Sequence, residues 1–202
     1  MDQQSAINEI ALIRQVIDES RRFAFDNGKY YLLWGILVTL AIFAQYAVLL
    51  MSIEYFSVWI WIVAIGLGWI VSVIFGMREP SRHHSFPVGA KLVAIIWVSA
   101  GVSMMIVGIV GPLAGALHPW AICPAMAAIV GGAYTTSSIV YRLKWVTAVG
   151  IAWWAGALLM FAVKGIETLP IYGVMMILFQ IFPGLVFYRN SKKNPANSGS
   201  AI

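Results

Sequence analysis

The chain has 202 residues, of which 61% are hydrophobic and only 10% charged. Soluble domains carry about 25% charged residues, so this composition excludes a soluble globular fold and sends most of the apolar surface to lipid or to neighbouring helices. The net charge of +5 is no sign of a nucleic-acid partner, because the bases are distributed by topology, as shown below.

Residues 6–25 predict a helix. Ala6, Ile10, Ile13, Ile17 and Ala24 recur at spacings of three, four and seven, and Leu12, Val16 and Phe23 widen the stripe. Between Asp2 and Asp26 lie five acids and three bases. A helix that rests on anionic lipid is rich in Lys and Arg, and this one is not. The stripe Ile10, Ile13 and Ile17 is therefore assigned to a protein surface, either the cytoplasmic face of its own bundle or a second copy. Asp26-Asn27-Gly28 then stops the helix. Residues 1–28 form a cytoplasmic amphipathic segment on this reading. No cleavable signal peptide is expected, since the first apolar run is longer than a signal core and a polar segment precedes it.

Residues 30–51 hold no charge, and a helix needs about 20 such residues to cross a ~30 Å hydrocarbon layer. Five more apolar runs follow, at about 56–76, 89–110, 119–141, 145–163 and 169–188, charge-free apart from Lys91 at the start of the third crossing. The expected fold is all-α: a six-helix transmembrane bundle over 29–188, built as three helical hairpins and preceded by the amphipathic helix. Residues 189–202 are polar and basic, and the composition predicts a disordered tail.

Lys and Arg sort by side. Twelve of the 13 fall on the side of the N-terminal segment, the second and fourth connections and the tail, leaving Lys164 alone on the other. Bases are retained in the cytoplasm, so both termini are expected there, in a cell (inner) membrane. Tyr30, Tyr31, Trp34, Tyr141, Trp145 and Tyr188 are expected at the cytoplasmic interface. Trp69, Trp97, Trp153 and Trp154 sit deeper and read as packing residues.

Each odd crossing begins at a lysine (Lys29, Lys91, Lys144) and each even one ends at an arginine (Arg78, Arg142, Arg189). Gly68 and Gly132 stand ten residues before two of those arginines, whereas Gly184 breaks that register. This layout resembles that of small bacterial membrane proteins built from three two-helix repeats, some linked to acid resistance. The likeness covers the order of helices, and no function is carried across.

Small residues four apart let helix backbones approach closely. Ala148, Ala152 and Gly156 form the clearest such row, and with Trp153 and Trp154 they mark a helix-packing or oligomer seam. Thr135, Thr136, Ser137 and Ser138 are the densest polar cluster at membrane depth. With Gln45 and Gln180 they offer a polar pathway, although hydroxyls there also bond within their own helix. Pro124 and Pro183 each remove a backbone bond. Arg82-His83-His84 beside Glu79 is too sparse for a metal site, since adjacent imidazoles rarely converge on one ion. Cys123 is the only cysteine, and no cofactor is expected. No Asp, Glu, Lys, Arg or His lies well inside a crossing, where coupled carriers place ionisable groups. Nucleophile–base pairs and phosphate loops are missing too. The sequence thus points to a non-catalytic scaffold, accessory subunit or regulator, homo-oligomeric or bound to another membrane protein. The alternative is an uncoupled channel or permease for a small neutral solute or lipid.

Overall fold

The computed structural model describes residues 3–78 and 88–193. It is all-α, with six helices long and apolar enough to span a membrane and a helix before them. Helix α1 is Gln3–Asp26, and α2, the first crossing, is Gly28–Leu50. A single turn, Glu54–Phe56, leads into α3, Ser57–Met77. Helix α4 runs Val88–Met105 and continues through a π-helical stretch, Ile106–Val110, into Gly111–Leu113. Helix α5 is Pro119–Tyr141 and α6 is Lys144–Val163. The last crossing, α7, comprises Thr168–Met176, a π-helical stretch Ile177–Ile181, and Phe182–Lys193. The helix therefore runs five residues past 188, and the first part of the segment expected to be a disordered tail is helical. The remainder of that segment, and the Arg82-His83-His84 connection, lie outside the described residues.

Short turns are closed by a left-handed residue that lets the chain cap the exposed carbonyls. After α2, Ser52 adopts φ 57°, and the Ile53 amide returns to the Val48 carbonyl at 3.1 Å. After α5, Arg142 adopts φ 50°, and the Leu143 amide returns to Ser138 at 3.2 Å. Both are Schellman closures, with a residue other than glycine in the position glycine favours.

Glycines set the tightest packing. A methyl group on Gly28 would lie 2.5 Å from the Tyr188 backbone nitrogen, and one on Gly184 would lie 3.1 Å from that of Leu32. Gly35 faces Gln180 and Ile181, and Gly173 faces Phe43. The first and last crossings thus meet backbone to backbone at Gly28, Gly35 and Gly184, and through the Phe43 ring at Gly173. Helices α5 and α6 form the other tight pair: Gly131 and Gly150 each face the other's carbonyl, at 3.0 and 2.9 Å from the missing methyl. The closest pairing consequently joins the second hairpin to the third.

The outer helices are held more sparsely. In α3 only Gly68 is buried, and it rests on the Trp34 ring. Helix α4 packs on α5 and on α1. The second half of α1 reaches the bundle at its basic end, where Ala24 is fully buried and Phe25 stacks 6.0 Å from Phe187.

Candidate functional site

The centre of the bundle is organised by the irregular middle of α7. Pro183 has no N–H, so the Phe179 carbonyl one turn earlier loses its helical donor. The backbone widens there into the π-helical stretch Ile177–Ile181. One partner from another helix fills the gap, and a second holds the neighbouring side chain. Trp153 of α6 donates its indole N–H to the Phe179 carbonyl at 3.3 Å. Tyr134 of α5 donates its hydroxyl to Gln180 Oε1 at 2.8 Å. A carbonyl unsatisfied in hydrocarbon is costly, so the Trp153 bond offsets the loss that the proline imposes, while Tyr134 fixes the adjacent Gln180 amide.

Aromatic rings close the space on the basic side of this junction. Tyr31 of α2 stands edge-on to Trp97 of α4, with ring centres 5.1 Å apart, and Trp97 stands edge-on to Tyr134 at 5.3 Å. Phe187 of α7 touches Tyr31, Tyr141, Trp145 and Phe25. Five crossings (α2, α4, α5, α6 and α7) and α1 are thereby joined through side chains. Tyr31 and Tyr141 were expected at the interface; the structure turns both inward, to 8% and 1% exposure. Trp69, read as a packing residue, touches Trp34 but is 59% exposed.

The four hydroxyls of residues 135–138 diverge, because consecutive helical residues point about 100° apart. Thr135 faces Gly150 of α6. Thr136 is exposed beside an open groove of about 320 Å³ between α4 and α5, which Ser99, Ser103 and Gly132 also line. Ser137 is buried. Ser138 donates to the Thr135 carbonyl at 2.6 Å and meets the Thr147 hydroxyl at 2.8 Å. Gln45 donates instead to Ser57 at 2.8 Å, joining α2 to α3. The six polar residues therefore make their contacts in separate places rather than along one wall.

No protein-family model, curated protein or solved structure matches this chain. Its site is defined by geometry alone.

The row Ala148, Ala152 and Gly156 lies on the outer side of α6. Ala148 is exposed, while Ala152 and Gly156 line an open apolar groove of about 560 Å³ between α6 and α7. Gly156 also receives the Met175 thioether. Trp153 is fully buried in the core, and Trp154, 40% exposed, donates to the Ala128 carbonyl at 3.0 Å. On α1, Ile10 and Ile13 are exposed and Ile17 is half-buried.

Chemically, the interior offers neutral hydrogen-bonding groups and ring faces. Among the described residues no three of His, Cys, Asp or Glu gather, and Cys123 is buried and unpaired. Gly35 facing α7, and the meeting of Tyr31, Tyr134 and Tyr141 in one cluster, were not singled out from sequence. One signal was available for Tyr134: a phenol in the middle of a crossing needs a partner, and Gln180 is one of few candidates.

Proposed function

We propose that this polytopic helical membrane protein is a non-catalytic scaffold, accessory subunit or regulator that acts by packing against other chains. The observation that carries this reading is the contrast between its inside and its outside. The inside is closed by interlocked rings and helix-to-helix hydrogen bonds at the α7 junction. The outside keeps apolar surface that the chain itself does not cover: on the crossings lipid also faces it, but on α1, which precedes them, Ile7, Ile10, Leu12 and Ile13 are exposed. We place the basic end of the bundle in the cytoplasm of a cell (inner) membrane, with both termini on that side.

Crosslinking in native membranes tests the reading. It predicts that the chain is recovered joined to copies of itself or to one other membrane protein. Recovery of monomers alone, with α1 free and mobile, would contradict it. The rival reading, an uncoupled channel or permease, draws on the hydroxyl-lined groove between α4 and α5. It requires that Thr136→Val lower solute flux into vesicles, whereas the scaffold reading predicts no flux to lower.

A further inference from the structure

We propose that α1 is a self-association element, in which the N-terminal helix of one chain pairs in parallel with that of a second copy. The proposal rests on the scaffold reading and names its partner. Every residue from Ile7 to Arg14 is exposed, so about two turns of helix present faces that the bundle does not cover. On that stretch Ile10 and Ile13 are 54% and 51% exposed. The bundle takes up the same stripe only from Ile17 downward, ending at the fully buried Ala24. A bare helix of this length is marginal in water and gains its stability from packing.

The register identifies what it packs against. Ile10, Ile17 and Ala24 fall at the a positions of a seven-residue repeat, and Ile13 falls at d. Glu9 then occupies g and Arg14 the e position five residues on. In a parallel pair these are the positions that meet across the seam, so Glu9 of each chain faces Arg14 of the other, twice by symmetry. An antiparallel pair would oppose Glu9 to Glu9 and Arg14 to Arg14. Copies inserted in one membrane present this helix on the same side, which the parallel pairing requires. A lipid surface fits less well, because Glu9 borders the apolar stripe and α1 has no excess of bases.

The test uses the full-length chain in its own membrane, with the buried Cys123 kept and the unsubstituted chain as the blank. Ile10→Cys and Ile13→Cys should form oxidative dimers about tenfold more readily than Leu12→Cys and Gln15→Cys, which lie off the seam. In the Ile10→Cys background, Glu9→Arg or Arg14→Glu alone should lower the dimer yield roughly fivefold, and the two together should restore it. Equal yields at all four positions, no dimers at any, or failure of the double exchange to restore pairing would overturn the proposal. So would crosslinks to a different protein, or a label at position 10 shielded by lipid in vesicles holding one chain each. If α1 fails these tests while copies still crosslink through the membrane helices, this contact is refuted and the scaffold reading stands. Monomers by every route refute both.

Discussion

Trp153 and Gln180 show how single side chains stabilise an irregular helix in hydrocarbon. Trp153→Phe removes the donor to the Phe179 carbonyl and, at this fully buried site, also leaves a cavity where the larger indole stood. The expected cost is about 2–3 kcal/mol, read as earlier unfolding in mixed micelles. Tyr134→Phe and Gln180→Met, alone and combined, should show a coupling of about 0.5–1.5 kcal/mol in a double-mutant cycle. Additive effects would mean that the 2.8 Å bond contributes nothing to stability. Ser52 offers the opposite sign. Its φ of 57° strains any side chain, so Ser52→Gly should raise stability by about 1 kcal/mol, measured the same way.

At the scale of elements, glycine position separates contact from open surface. Gly28→Ala places a methyl against the Tyr188 backbone. Both sides of that contact are helix backbone, which gives little, and the expected loss is about 2–3 kcal/mol in the same unfolding assay. Gly66→Ala and Gly101→Ala meet nothing within 4 Å, and should be neutral or gain up to about 1 kcal/mol from helix propensity. The six crossings were legible in the sequence because an uncharged run of about 20 residues has few other folds available. Which faces meet was less legible. Lipid-facing and helix-facing surfaces are both apolar, so no hydrophobic stripe marks the inside of a membrane bundle. The Ala148, Ala152 and Gly156 row has the spacing of a packing seam, yet much of it faces outward, while Gly28 and Gly35, seven residues apart, carry the contact with α7. Tyr31 and Tyr141 look like interface anchors by position, and only the packing of Phe187 and Trp97 around them shows that they point inward.

For the whole molecule, the account rests on a closed interior and an exposed apolar exterior. Three pairs tie interior groups across helices, Tyr134 to Gln180, Trp153 to Phe179 and Ser138 to Thr147. A packing function of this kind needs no ionisable group at depth, which agrees with a sequence that places none there. The most direct test is the mass of the particle released from native membranes together with its surrounding lipid, measured without detergent. The account predicts two or more copies of the 22.2 kDa chain, or one copy bound to another membrane protein. A particle containing one chain and lipid alone would contradict it.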